Sequence, residues 1–307
     1  MSPLCSGSRC EPGASRYCDR ERPHDATGLR RPGKAGRARI SEPGDRLRRK
    51  GASFHGRWMM GSALVGVGVG PGDPGLITIK ALSELRGADR VFGPSMSVDV
   101  VGRAESIVRQ AAPDVVVERL VFAIVEDAAA RRAAHERAAD RVAECLAAGE
   151  RVAFVTLGDP NVYSTFHHLA ARVLERSPGT PVTTVPGICA FQDLAARSGT
   201  VLVDGVERLH LVSAVAGPDA IDAPLADPEA AVVVYKGGRH LPELAERLRA
   251  AGRLDGAVVG ELLGLPGERV VSLALVATAP GAYLSSILVP PRREGLGEAA
   301  GAEAGEP

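Results

Sequence analysis

The stretch that decides the fold is Ala63-Leu-Val-Gly-Val-Gly-Val-Gly-Pro-Gly-Asp-Pro74, where a short apolar run passes into a loop of glycines and prolines. An apolar run without polar alternation predicts a strand over Ala63–Val69 that is buried on both faces. The glycines allow a tight turn, and the prolines make the loop rigid. A helix is predicted from Pro74 to Arg86, because apolar residues recur along one side of it.

This first loop departs from the phosphate-binding patterns of nucleotide enzymes. Counted from Gly66 or from Gly68, the sixth position of a G-x-G-x-x-G fingerprint holds Pro71 or Asp73. The acidic residue that would bind a ribose is also missing, since the predicted second strand, Asp89–Phe92, is followed by a Gly-Pro pair. The loop therefore suits a bulky ligand that approaches the backbone. A plain tight turn is the alternative.

Two further loops follow predicted strands. Thr156-Leu-Gly-Asp-Pro-Asn-Val-Tyr-Ser-Thr-Phe166 comes after the strand Val152–Val155, and Val185-Pro-Gly-Ile-Cys-Ala-Phe191 ends the strand Val182–Val185. Apolar strands that alternate with helices predict a parallel sheet covered on both faces. Because the carboxyl ends of parallel strands meet at one edge, we expect the three loops to converge on one crevice.

Single residues in these loops leave alternatives open. Asp159 suits a hydrogen bond from an amine or hydroxyl of a ligand, or a cap of the following helix. Cys189 is expected as a small packing residue rather than a nucleophile, because no base lies near it in the sequence. His167 and His168 are adjacent and would point about 100° apart on a helix, which disfavours a shared metal ion.

The remaining patterns predict an α/β protein of two α/β domains, with a parallel sheet and then a mixed sheet, and a cleft between them. A third strand over Val115–Val117 and a long helix capped by Asp127 complete the first domain. Beyond Gly187, strand-like runs with one clear helix between them favour hairpins and a mixed sheet. The expected strands are 209–213, 231–235, 257–259, 269–273 and 284–289, and the helix is 241–251. The expected organisation is a disordered leader over 1–58, domains over 59–186 and 187–290, and a solvated tail over 291–307.

Composition limits the function classes. The 307 residues carry no net charge, but residues 1–60 have an excess of eight positive charges and the rest an excess of eight negative ones. The folded part is thus mildly acidic, which speaks against nucleic acid as a partner. No apolar run is long enough for a membrane helix. The cysteines show no disulfide framework, so a reducing cytoplasm is expected.

Three hypotheses account for the leader. The first is that translation starts at Met59 or Met60, so that the leader is not made. The others are that it is a disordered tail or a targeting extension. It holds three of the five cysteines, with His24 nearby, but their spacing fits no paired C-x-x-C scheme for zinc. A secretory signal is not expected, because the segment lacks an apolar core.

Taken in order, the three loops resemble those of the tetrapyrrole (corrin/porphyrin) methyltransferase family, over about residues 62–290. The resemblance implies a homodimer of two α/β domains with S-adenosylmethionine bound in the cleft between them. Finer features, including Tyr163-Ser-Thr-Phe166 and Tyr235-Lys-Gly-Gly-Arg239, are similar to the branch that methylates carbon C20 of a cobalamin precursor. Another ring carbon or macrocycle is the alternative within the family. A nucleotide-dependent oxidoreductase and a non-catalytic binding module are the alternatives outside it.

The resemblance, and the reaction that it implies, suggest roles for individual residues. Asp73 is the candidate base that accepts the displaced proton, because a carboxylate on the rigid first loop is expected to face the crevice; water is the alternative. Arg239 is the candidate for a substrate carboxylate, with His240, Lys80 and Arg119 as further cations. Cys189 stands where a Ser or Thr is commoner, which puts a hydroxyl contact there in doubt. The residues expected to hold the methyl donor are Pro71, Leu157, Gly158, Asp159, Val162, Cys189, Ala190, Tyr235, Lys236 and Leu273. No metal site is expected.

Overall fold

The computed structural model describes residues 61–122 and 128–293. The leader over 1–58, the paired methionines Met59 and Met60, the cap at Asp127 and the tail from residue 294 lie outside the described residues. Within the described part, no helix is long and apolar enough to cross a membrane.

The first half of the described chain forms a five-stranded sheet in which every pair is parallel, as predicted. Its spatial order is β3-β2-β4-β1-β5, so the strands before the three loops, β4, β1 and β5, are neighbours. The strands are β1 (Ala63–Gly68), β2 (Arg90–Ser95), β3 (Glu118–Val121), β4 (Arg151–Thr156) and β5 (Val182–Val185).

Helices cover both faces of this sheet, which explains the continuous apolar strands. In β1, Leu64 packs into the core beneath α3 and α4, whereas Val65 and Val67 pack on the opposite face beneath α1 and α2. Two cores therefore fix the sheet from both sides. The helices are α1 (Ile79–Gly87), α2 (Arg103–Ala111), α3 (Ala128–Ala147) and α4 (Phe166–Arg176).

The second half forms the expected mixed sheet, in the order β6-β7-β10-β8-β9. The β6–β7 pair is parallel, and the other three pairs are antiparallel. Helix α5 packs on β8, β9 and β10, so the chain after the third loop joins this sheet. The domain boundary at residue 186 stays a prediction. The elements are α5 (Ala190–Ser198), β6 (Arg208–Ser213), α6 (Asp222–Leu225), β7 (Ala230–Tyr235), α7 (Leu241–Ala250), β8 (Val258–Glu261), β9 (Arg269–Ser272) and β10 (Ser285–Val289).

Several predicted boundaries in the first half are wrong. The helix predicted from Pro74 begins at Ile79, because a short 3-10 turn precedes it and the Thr78 hydroxyl caps α1. Strand β2 continues through its Gly-Pro pair, since beyond Phe92 only β3 pairs with it and a proline there costs no bond to β4. The third strand lies at 118–121, after the apolar loop residues 115–117. Helix α2 was not predicted.

Candidate functional site

Three backbone segments meet at the carboxyl edge of the first sheet. A Cβ atom at Gly68 would lie 2.5 Å from the carbonyl oxygen of Gly158, and one at Gly187 would lie 2.1 Å from the same oxygen. Both distances are too short for a side chain, so these positions need glycine. The amide of Gly158 also donates to the carbonyl of Gly70 at 2.7 Å. The expected convergence of the three loops is confirmed.

Asp159 fastens the second loop to the third. Its Oδ2 accepts a hydrogen bond from the amide of Gly187 at 3.0 Å, and its Oδ1 accepts one from the amide of Asn161 at 2.8 Å. The alternative role as a helix cap is wrong, because the residue that precedes α4 is Thr165. The carboxylate therefore holds loop backbone in place at the site.

A cavity of about 570 Å³ opens at this edge, a volume typical of small-molecule sites. Its walls come from the three loops, from the segment between β2 and α2, and from residues at the ends of β7, β8 and β10. Nine of the ten residues expected to hold the methyl donor line it: Pro71, Leu157, Gly158, Asp159, Val162, Cys189, Ala190, Tyr235 and Lys236.

The tenth residue, Leu273, is placed elsewhere. It is fully buried in the core between the second sheet and α7, and it does not line the cavity. The loop after β8 instead contributes Leu263 to the cavity wall. The loop that carries Leu263 packs tightly on the first loop, since a Cβ atom at Gly72 would lie 1.9 Å from the carbonyl oxygen of Leu263.

Asp73 and Arg239 also lie outside the cavity lining. The carboxylate of Asp73 caps the 3-10 turn after the first loop, where its Oδ1 accepts a hydrogen bond from the amide of Gly75 at 2.7 Å. The expectation that this carboxylate faces the crevice is therefore wrong. Arg239 is exposed in the 3-10 turn before α7 and does not line the cavity.

An aromatic cluster closes one side of the cavity. The ring of Tyr235 lies 5.3 Å from that of Tyr163 and 6.4 Å from that of Phe191, measured between centroids. Burial raises the pKa of the Tyr235 hydroxyl well above its ordinary value. Burial, with the nearby charge of Asp159, also raises the pKa of the Cys189 thiol. Both groups thus stay protonated at neutral pH, which supports a packing role for Cys189 rather than a nucleophilic one.

Backbone strain is concentrated around the same cavity. Among the described residues, three that are not glycine have positive φ angles: Tyr163 at 47°, Lys236 at 58° and Leu262 at 52°. Tyr163 and Lys236 line the cavity, and Leu262 directly precedes the lining residue Leu263. Such strain persists only where the surroundings hold it, and it is typical of functional sites.

Sequence reasoning missed the wall formed by the segment between β2 and α2. Gly102 belongs to it and Arg103 begins α2 directly after it, so the role of both depends on a helix that the apolar pattern did not reveal. Of the charged side chains that line the cavity in the described part, one is acidic, Asp159, and two are basic, Arg103 and Lys236. In that part, no group of three or more His, Cys, Asp or Glu side chains is placed to hold a metal ion.

Comparison with known proteins gives consistent matches. The model of the family described as tetrapyrrole (corrin/porphyrin) methylases matches residues 63–277. The chain is 34% identical to the precorrin-2 C(20)-methyltransferase of a Sinorhizobium species over 236 residues, which is 74% of this chain and 94% of that protein. It is 30% identical to the cobalt-precorrin-2 C(20)-methyltransferase of Salmonella typhimurium over 213 residues, covering 68% and 87% respectively.

A solved structure shares the fold. The crystal structure of a cobalamin synthesis related protein (CobF) from Corynebacterium diphtheriae superposes with a TM-score of 0.58 at 19% identity. The match covers 75% of this chain and 98% of that one. At this identity the likeness supports the two-sheet architecture alone.

Proposed function

The chain belongs to the tetrapyrrole (corrin/porphyrin) methylase family, and from that premise we propose that it transfers a methyl group from S-adenosylmethionine to carbon C20 of precorrin-2, or of its cobalt complex, in cobalamin biosynthesis. The relatives named for these two substrates are aligned over most of their own length, at 34% and 30% identity. They support the same reaction here, with the metal content of the substrate open to experiment.

The single observation that carries the proposal is the cavity at the meeting point of the three loops. Its walls are mostly apolar. The backbone of the second loop also lines the cavity at Gly158, which has a φ of 69°. The space beside this glycine is open, since a Cβ atom there would meet only one atom, 4.0 Å away. An adenosyl group and a sulfonium centre need such a mixture of apolar surface and backbone hydrogen-bonding groups. We propose that the nine lining residues named above hold the donor.

The proposed methyl transfer requires little covalent chemistry from the protein itself. When bound, the donor supplies an activated methyl group and leaves as a neutral thioether. The electron-rich carbon belongs to the reduced tetrapyrrole, so the chain need not provide a nucleophile. Its rigid loops would hold the two reactants in line, and such orientation is worth about 7–11 kcal/mol of the barrier in well-oriented systems.

The displaced proton needs an acceptor. Within the described lining, Asp159 is the only carboxylate, and both of its oxygens already accept backbone hydrogen bonds. Asp73 is held in its cap outside the cavity. We therefore propose that the proton passes to water at the mouth of the cavity, and that Asp73→Asn keeps the single-turnover rate of the unchanged protein.

The family resemblance also supports a homodimer, and the cysteine pattern, which shows no disulfide framework, supports a cytoplasmic location. The edge strand β6 exposes Leu209 and Leu211, and Val206 just before it is 86% exposed. Leu209 and Leu211 are two residues apart and so lie on one face of the strand, and apolar side chains exposed together on an edge strand suit an interface. Light scattering coupled to size-exclusion chromatography would distinguish a dimer from a monomer.

The first experiment is titration calorimetry of S-adenosylhomocysteine into the full chain. We expect micromolar affinity with one site per chain. Anaerobic turnover with precorrin-2 and with its cobalt complex should then give a product that gains the mass of one CH₂ group. When the methyl group of S-adenosylmethionine is isotopically labelled, the label should appear at C20. Donor binding without turnover on either substrate would favour another macrocycle or a binding module. Absence of donor binding, with and without substrate, together with a response to a nicotinamide cofactor in a fluorescence titration, would contradict the proposal.

A further inference from the structure

The segment that joins β2 to α2 forms one lip of the cavity. We call residues 96–102 the mouth segment. Met96, Val100 and Val101 line the cavity, yet Met96 is 59% exposed and Val100 is 50% exposed. Large apolar side chains half open to solvent at a cavity entrance are suited to a flat apolar ligand that covers them when it binds.

A cation stands at the end of this lip. Arg103 is the first residue of α2, lines the cavity and is exposed. Among the described residues, its side chain has no hydrogen-bond or ion-pair partner. Lys236, the other basic lining residue, directly follows β7, and its side chain also lacks such a partner in the described part. The remaining arginines close to the lip, Arg109 and Arg119, are paired with Glu105. Arg103 is therefore the guanidinium on this lip that is available to a ligand.

A buried carboxylate holds the mouth segment in place. Glu105, whose side chain is 1% exposed, receives Arg119 Nε at 2.7 Å and Arg119 Nη2 at 3.0 Å. Arg119 Nη1 then donates to the carbonyl of Val98, inside the segment, at 2.6 Å. The same carboxylate accepts the amide of Gly102 at 3.2 Å. One ion pair thus fixes the middle and the end of the segment.

The base of the segment is also closed. Ser95 Oγ donates to the carbonyl of Ser97 at 2.7 Å and lies against the carbonyl of Val100. A Cβ atom at Gly102 would lie 2.2 Å from the carbonyl oxygen of Pro94, so the end of the segment touches β2, from which the segment starts. The lip has a defined shape before any ligand arrives, which lowers the entropic cost of binding to it.

We propose that Arg103 determines substrate specificity by pairing with a peripheral carboxylate of the tetrapyrrole, while the apolar residues of the mouth segment lie against the macrocycle and Arg119, acting through the segment, positions them. The inference rests on the proposed function and adds to it the residues that recognise the substrate. A guanidinium matches a carboxylate in a two-pronged geometry. The folded part is acidic overall, so a polycarboxylate needs such a local cation.

The test separates substrate recognition from donor binding. Arg103→Gln and Arg103→Lys are compared with Arg249→Gln, which changes an exposed arginine on α7 that does not line the cavity. We expect Arg103→Gln to raise the KM for the tetrapyrrole by about tenfold or more, as expected for one lost charged hydrogen bond. The expected kcat and the affinity for S-adenosylhomocysteine stay close to those of the unchanged protein. The KM of the lysine variant should lie between those of Arg103→Gln and of the unchanged protein. Arg249→Gln should leave the KM, the kcat and the donor affinity unchanged.

The outcomes distinguish the two proposals. An unchanged KM in Arg103→Gln, in a protein that still binds donor and turns over, would overturn the role of Arg103 and leave the proposed function standing. Failure of the unchanged protein to bind donor would instead overturn the proposed function. If the glutamine variant does not fold, the lysine variant decides: a KM for the tetrapyrrole that is the same at low and high salt would contradict the ion pair, because salt screens the attraction between exposed charges.

Discussion

The carboxylate of Asp159 accepts a hydrogen bond from the backbone amide of Gly187 at 3.0 Å, and this bond joins the loop after β4 to the loop after β5. The other oxygen of the same carboxylate accepts the amide of Asn161, inside its own loop. A single side chain therefore sets the distance between two walls of the cavity.

Asp159→Ala should weaken both the fold and the donor site. Loss of hydrogen bonds to a charged group costs about 1.5–3 kcal/mol in the free energy of unfolding, and the freed third loop should lower the affinity for S-adenosylhomocysteine. Asp159→Asn keeps one hydrogen-bond acceptor, so its stability and its donor affinity should lie between those of Asp159→Ala and of the unchanged protein. The control is Asp89→Ala, since Asp89 accepts the amide of Arg151 at 2.8 Å at the opposite edge of the same sheet. Urea denaturation and calorimetry measure the two effects. Equal donor affinity in all three variants would contradict the role of Asp159.

Gly158→Ala should separate strain from cavity filling. Gly158 has a φ of 69°, and Gly199 at the end of α5 has a φ of 66°, so alanine is strained equally at both positions. We expect each variant to lose about 1–2 kcal/mol of unfolding free energy. Only Gly158 lines the cavity, so only Gly158→Ala should also bind S-adenosylhomocysteine much more weakly. Equal donor affinities in the two variants would show that the backbone at Gly158 does not approach the donor.

The parts of the site that sequence could predict are those written into short loops. Continuous apolar strands indicate a parallel sheet, and a parallel sheet brings its carboxyl ends together. Glycines such as Gly68 and Gly187 mark the places where backbone touches backbone. For this reason nine donor-site predictions lie on the cavity wall without any knowledge of the side-chain packing.

The errors arise where local sequence is compatible with two environments. An Asp before Pro-Gly forms a cap as readily as it faces a ligand, and Asp73 forms the cap. Leu263 and Leu273 are both leucines that follow a strand of the second sheet, but Leu263 lines the cavity and Leu273 is buried in a core. In the sequence, Arg103 cannot be told apart from an ordinary solvent-exposed arginine in a charged helix. Its position on the lip depends on tertiary structure that no local pattern encodes.

Glu105→Gln should change how stability depends on pH. Burial alone would raise the pKa of this carboxyl, but the hydrogen bonds from Arg119 and Gly102 and the charge of Arg109 together hold it below its ordinary value. A carboxyl whose pKa is lower in the folded state adds stability above its unfolded pKa, about 4.3 for a free Glu. That stability is lost as the pH falls through the lower, folded pKa. The unchanged protein should therefore lose stability on acidification more steeply than the variant.

Denaturation in urea from pH 7 to pH 3 measures this effect. At pH 7 the variant should be the less stable protein, because two arginines lose a charged partner, and the two curves should approach each other in acid. Glu144→Gln is the control, since Glu144 is exposed and lies 3.8 Å from Arg141. Parallel curves for Glu105→Gln and the unchanged protein would contradict the assignment of Glu105 as a lowered-pKa group.

Arg119→Gln should impair the use of substrate without impairing the donor. The variant loses the pair with Glu105 and the bond to the carbonyl of Val98, so the mouth segment is no longer fixed at its middle. Removing one partner of a buried pair is destabilising, and we expect about 2–3 kcal/mol here because Arg109 still faces Glu105. The KM for the tetrapyrrole should rise several-fold, while the affinity for S-adenosylhomocysteine is kept.

Two comparisons distinguish positioning from general stability. Arg141→Gln breaks the pair between Arg141 and Glu118, the residue before Arg119, without touching the mouth segment, and it should leave the KM unchanged. Arg119→Lys keeps the charge but not the two-pronged geometry, so it should restore part of the KM. If Arg119→Gln and Arg141→Gln changed KM and kcat to the same extent, the effect would come from stability alone. A rise in KM confined to Arg119 would instead mean that the ion pair beneath the lip sets the position of the surface that meets the macrocycle.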